Sequence, residues 1–80
     1  MKKDELSKIY GKIQIVDNLP DYKVKVANHL PDLKVQIVNN FPNSAGKWQI
    51  VNHLPDYKIQ IVDNFPDFTI QYVNNFPGLK

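Results

Sequence analysis

Residues 12–22 read KIQIVDNLPDY, and variants of that phrase fill almost all of the chain. It returns as KVKVANHLPDL from Lys23 to Leu33, KVQIVNNFPNSAG from Lys34 to Gly46, KWQIVNHLPDY from Lys47 to Tyr57, KIQIVDNFPDF from Lys58 to Phe68 and TIQYVNNFPGLK from Thr69 to Lys80. A fixed period of this kind marks a repeat architecture, in which one unit cannot bury its apolar face without its neighbours. Within each copy the run Ile13-Gln14-Ile15-Val16 or its counterpart is β-branched and alternating, which fits a short half-buried strand. The apolar phase continues across the bend, since Tyr22, Val24 and Val26 are two apart, as are Tyr57, Ile59 and Ile61. Side chains two apart in a strand share a face. An apolar inner face and an outer face of mostly Lys and Gln follow. Ile15, Val26 and Ile61 belong to that inner face, and truncating each to Ala is expected to cost about 2–5 kcal/mol.

Each strand ends in a corner, Asp/Asn-Asn/His-Leu/Phe-Pro-Asp in most copies. Asn and Asp bond nearby backbone and tolerate left-handed geometry. Proline has no N–H and stops a ladder at a fixed place. Its predecessor is expected to be extended. Leu19, Leu30, Phe41, Leu54, Phe65 and Phe76 hold that predecessor position. They are expected to plug the end of the core.

A longer period overlies the short one. At an offset of 35 residues, 17 of the 32 pairs from Lys12/Lys47 to Asn43/Gly78 are identical. The chain therefore divides into a lead-in, residues 1–11, and one six-repeat β domain, residues 12–80, with halves 12–46 and 47–80 joined at Asn43-Ser44-Ala45-Gly46. Lys8-Ile9-Tyr10 reads either as a lead-in strand or as part of a helical turn on DELSKIY. The superperiod favours an all-β, solenoid-like course, in which three strand-and-corner units make one circuit and copy n stacks on copy n+3, over an antiparallel meander. A plain two-turn solenoid leaves open edges that invite aggregation. Terminal segments, a partner chain or an unusual path must close it.

Six strand units, Gly46-Lys47-Trp48 opening the fourth and Gly78 closing the sixth resemble the septoil knot domain family. The resemblance covers about Lys12 to Leu79. It implies a small bacterial β-repeat domain whose chain double-wraps into a deep torus knot with seven crossings. The family's repeats carry Val-Asp followed by a polar, alanine-containing corner. This chain keeps Val16-Asp17 and Val62-Asp63 and departs at its Leu/Phe-Pro corners. The resemblance brings no biochemical activity and no functional residue.

The remaining inventory narrows the function classes. Eighty residues with no cysteine make one small domain without disulfides or thiolate metal sites. The formal net charge is +2, and all ten basic residues are Lys. With no Arg there is no bidentate fork for phosphate or guanine, so nucleic acid is not an expected partner. No segment is an apolar membrane span or a secretory leader, and a cytoplasmic location is expected.

Catalytic, cofactor and metal residues are each assigned as none. Ser7, Ser44 and Thr69 have no evident base, and nucleophilic catalysis requires one. His29 and His53 occupy one repeat position, interchangeable with Asn18 and Asn64. Asp17, Asp21, Asp32, Asp56, Asp63 and Asp67 recur at corners as turn formers. Lys12, Lys23, Lys34, Lys47 and Lys58 read either as an edge guard or as a phosphate-binding stripe with Tyr22 and Tyr57 available for stacking. Adjacent aspartates favour the guard. Trp48 replaces Ile13 and should fill space where the halves meet. Val16, Val38, Val51, Val62 and Val73 are either covered by corner residues or form a partner patch. The expected function is a non-enzymatic structural or protein-interaction module, with protein partners or self-association through an outer face or sheet edge. A weak polyanion or nucleic-acid binder using the Lys row is the alternative, and a small enzyme with an unrecognised carboxylate site is the third reading. The first reading predicts flow-through on heparin at low salt. Salt-sensitive retention would instead support the Lys row.

Overall fold

The computed structural model describes residues 1–79; Lys80, the end of the sixth copy, lies outside the described residues. A four-residue helix, α1 (Lys3–Leu6), is followed by β1 (Gly11–Ile15), β2 (Tyr22–Val26), β3 (Leu33–Ile37), β4 (Lys47–Ile50), β5 (Tyr57–Ile61), β6 (Phe68–Tyr72) and the two-residue β7 (Gly78–Leu79). For Lys8-Ile9-Tyr10 neither option holds in full: the helix ends at Leu6, Ser7 and Lys8 follow it as a turn, and Ile9 and Tyr10 are neither helix nor strand.

The strand order is β4-β1-β5-β2-β6-β3-β7, and an additional β3–β4 pairing closes the first six into a ring. All six pairings within the ring are parallel, and β7 alone runs antiparallel, against β3. Strands of the first winding (β1–β3) alternate with those of the second (β4–β6) all the way round, the closing β3–β4 junction included. Copy n does pair with copy n+3, as in β1–β4, β2–β5 and β3–β6. Each strand also pairs with a second member of the other winding, and the closed ring removes the open edges that a plain solenoid would leave.

The register sets the barrel geometry. Ile13 lies opposite Ile50 on one side and Tyr57 on the other. The ladder therefore advances two residues at each strand, and six such steps give a shear of about twelve. With ~3.3 Å per residue and ~4.8 Å between strands, the strands tilt by about 55° from the barrel axis. At this stagger, residues at the same repeat position sit at the same height. The third strand position forms a complete central layer of Ile13, Val24, Val35, Trp48, Ile59 and Ile70, every one 0% exposed.

The layers above and below differ. On the N-terminal side, Leu33 and Phe68 are buried and Tyr22 and Tyr57 are half-buried. Gly11 and Gly46 hold the two other places in that layer. Leu6 and Ile9 of the lead-in join the same core and close this end. The Trp48 indole N–H donates to the Ile9 carbonyl at 3.0 Å, and the Tyr57 hydroxyl donates to the Lys8 carbonyl at 3.2 Å. Gly46, at φ +81°, sits where a Cβ would collide with the Lys34 carbonyl oxygen and the Gly78 amide. Only glycine tolerates that crossing.

Three expectations are corrected here. Ile15, Val26 and Ile61 face inward by parity but occupy the C-terminal end of their strands and are 41–44% exposed. The strands are short and steep, and the lead-in covers only their N-terminal ends, so the C-terminal ends stay half open. The corner residues do not plug the core: Leu19, Leu30, Phe41, Leu54, Phe65 and Phe76 are 70–94% exposed. Nor are they extended. Their φ values lie between +50° and +56°, because the chain must reverse within a very short handle and that need overrides the proline's local preference.

Ile59→Ala is therefore expected to destabilise by about 2–5 kcal/mol and Ile61→Ala by no more than ~1 kcal/mol. Urea unfolding of the two variants measures the difference, and equal losses would contradict the layer assignment.

Candidate interaction surface

Each corner is a handle over a strand of the other winding. The Val16 amide donates to the Ile59 carbonyl, and the Asp21 amide donates to the Lys58 carbonyl, so the two ends of handle 16–21 flank β5. The space inside β5 is occupied by buried Ile59, so the exposed handle passes outside. In the same way handle 27–32 straddles β6, 51–56 straddles β1 and 62–67 straddles β2. The segment after β6 runs from Val73, bonded to Val35, to Gly78, paired with Lys34, and so crosses β3. The longer third corner crosses no strand. Its two extra residues allow the chain to turn from β3 into the adjacent parallel β4.

Polar side chains fasten these handles. The carboxylates of Asp56, Asp67, Asp21 and Asp32 accept the backbone N–H groups of Lys12, Lys23, Lys58 and Thr69 at 2.7–2.9 Å. The aspartate's own amide donates back to the same residue's carbonyl, so each brace is a reciprocal pair joining the windings. A second set comes from the strands. Gln14, Gln36, Gln60 and Gln71 donate their side-chain amides to the carbonyls of Asn52, Asn74, Asp17 and Asn28 at 2.8–3.0 Å. These glutamines, read from the sequence as an outer polar face, are ties between windings.

The other residues singled out from the sequence fall as follows. The handles bearing His29 and His53 straddle β6 and β1, which lie on opposite sides of the ring, and both side chains are exposed. Among the described residues, no group of three or more His, Cys, Asp or Glu side chains is placed to hold a metal ion. The Ser7 hydroxyl donates to the Asp4 carbonyl, and the Thr69 hydroxyl accepts from the Asp32 amide and donates to its carboxylate. Lys12, Lys23, Lys34, Lys47 and Lys58 sit at one outward position, and Asp braces hold the backbone of Lys12, Lys23 and Lys58. In a closed ring they guard no edge, which corrects that reading. Tyr22 and Tyr57 are not free for stacking. Their rings pack 5.9 Å apart, and Tyr22 also meets Phe68 edge-on at 5.8 Å. Burial, followed by the neighbouring Tyr57 and nearby acids, raises the Tyr22 phenol above its ordinary pKa. Val16, Val38, Val51, Val62 and Val73 are half-buried, and their backbone amides bind the other winding.

What stands out on the surface is the set of six Leu and Phe side chains at the handle tips. A left-handed conformation costs an L-residue about 1–2 kcal/mol relative to the right-handed form. Asn or Gly would relieve much of that cost. Six such positions add up to several kcal/mol, a large share of the ~5–15 kcal/mol by which a domain is stable. Exposed as they are, these side chains bury too little for packing to account for an apolar group there. The sequence does carry a signal that isolates these residues: Leu19 has Asp17 and Asp21 two places away on either side, and Phe65 has Asp63 and Asp67. An apolar residue with polar neighbours at both i−2 and i+2 belongs to no strand face.

A family model described as "7(1) septoil knot domain" matches residues 6–80. The chain belongs to the septoil knot domain family. The match includes Leu6 and Ile9, the two residues of the lead-in that enter the core. No curated protein matches the chain. No helix among the described residues is long and apolar enough to cross a membrane.

Two measurements follow. Phe65→Asn should raise stability by about 0.5–1 kcal/mol by easing the left-handed backbone, and a loss in urea unfolding would mean that Phe65 packs against the fold. Interleaved windings whose braces join residues 37 and 44 apart also predict a slow refolding phase that prolyl isomerase does not accelerate. Complete recovery in one fast phase would contradict that.

Proposed function

We propose that the chain is a non-enzymatic structural or protein-interaction module that grips a protein partner with its handle tips. The observation that carries this reading is the six strained, 70–94% exposed Leu and Phe side chains. Exposed apolar groups held by a rigid frame suit recognition, because little ordering entropy is lost on contact. Large apolar side chains held at backbone cost, where a smaller polar residue would suffice, are a feature of contact sites rather than of packing.

The partner expected is a protein with apolar pockets. The Lys row does not favour a polyanion, because the aspartate braces lie beside it at the same height of the barrel. Photoreactive phenylalanine analogues placed at Phe65 and Phe76 should yield discrete cross-linked species in cells, while the same group at Lys58 should not. No adducts at either tip, or equal labelling at Lys58, would overturn the reading.

A further inference from the structure

The barrel's two ends are built differently. Leu6 and Ile9 close the N-terminal end. At the other end the fifth strand positions form a complete rim of Ile15, Val26, Ile37, Ile50, Ile61 and Tyr72. Their exposures lie within 41–48%, so each covers the central layer with one side and presents the other to water. No segment of the described residues lies over this mouth as the lead-in lies over the opposite one.

Charge is divided in the same sense. The second strand position holds Lys12, Lys23, Lys34, Lys47 and Lys58, and the aspartate braces sit at that level, near the closed end. The fourth position, nearer the mouth, is Gln in five strands and Lys25 in β2. The handle starts that follow are Asn, His and Asp. Lys25 takes the register position under Asp63 that Gln60 takes under Asp17. The mouth is thus an apolar ring bordered mainly by neutral amides.

We infer that this mouth binds the mouth of a second copy of the same chain, in a face-to-face dimer. At 41–48% exposure, six side chains of this size offer on the order of 500 Å² of apolar surface. Two such rims would cover on the order of 1,000 Å², which reaches the lower limit of a specific interface. The ring repeats the same side-chain type around its circumference, so a twofold axis in the plane of contact brings like rim against like rim, as an isologous interface requires. Asn and Gln are donors and acceptors at once, so a border of amides complements its own copy, whereas a border of one charge would repel it. Because β7 is the only strand with an unpaired side among the described residues, self-association moves from the sheet edge to the barrel mouth. The handle tips lie around the girdle and stay free, so this contact and the partner contact proposed above use separate surfaces and can fail separately.

The test is sedimentation velocity of the full chain across roughly 10 µM to 1 mM, with NMR shifts followed over the same dilution. The mass should rise from monomer to dimer, with concentration-dependent shifts at Ile15, Ile37, Ile50 and Ile61. Ile61→Asp should weaken the dimer at least about ten-fold, while Phe65→Asn should leave it unchanged. If Ile61→Asp does not fold, the wild-type shifts decide. A monomeric mass throughout would overturn the proposal. So would dimerisation whose shifts fall on Leu19, Phe65 and the other tips, or on β7, and that result would leave the handle tips as the contact surface.

Discussion

Neither winding can form a sheet by itself. Among the described residues, β1, β2 and β3 pair only with strands of the second winding and with β7, and β4, β5 and β6 pair only with strands of the first. Half of every ladder is supplied by a segment tens of residues away. The two-residue stagger follows from this sharing, because the first part of a strand binds one neighbour and the last part binds the next. From the stagger come the steep tilt, the six-member layers and the single sealed layer of Ile13, Val24, Val35, Trp48, Ile59 and Ile70. A chain of 80 residues with no disulfide obtains a closed core in this way, with no sheet edge in the ring.

The handles are the cost of that arrangement. To pass from one strand to the next in its own winding, the chain must cross a strand of the other and return to the sheet within about six residues. The left-handed Leu or Phe supplies the reversal, and the aspartate and glutamine ties hold both feet of the handle. Gly46 marks a crossing where backbone meets backbone, near the place where the first winding becomes the second. The frame produced is tied across its windings, carries apolar tips around its girdle, and is closed at one end and open at the other.

Much of the fold was legible from the repeat. Alternation in KIQIV identified the strands, and the resemblance between halves identified the two circuits. The parity that placed Ile13, Val24 and Ile59 inward was sound. What parity cannot give is height along the barrel, so Ile15, Val26 and Ile61 were read as enclosed although they form the rim. The corner was misread because proline's effect on its predecessor is local, whereas the conformation of Leu19 is set by β5 passing beneath its handle. The braces from Asp21, Asp32, Asp56 and Asp67 could be read as turn formers but not as inter-winding bonds, since nothing local says which strand lies within reach. Of the surface features, the Lys row is plain in the sequence, whereas the Leu and Phe of the corners carry the same apolar character as core residues, so composition alone points them to the interior.

The central claim is the interleaving of the windings, and backbone NOE contacts between strands test it most directly. Contacts between Ile13 and Tyr57 and between Tyr22 and Ile59, with none between β1 and β2, would place β5 between two consecutive strands as described. Ladders between β1 and β2, or between β2 and β3, would mean that sequential strands pair as a meander, and the shared ring would not exist.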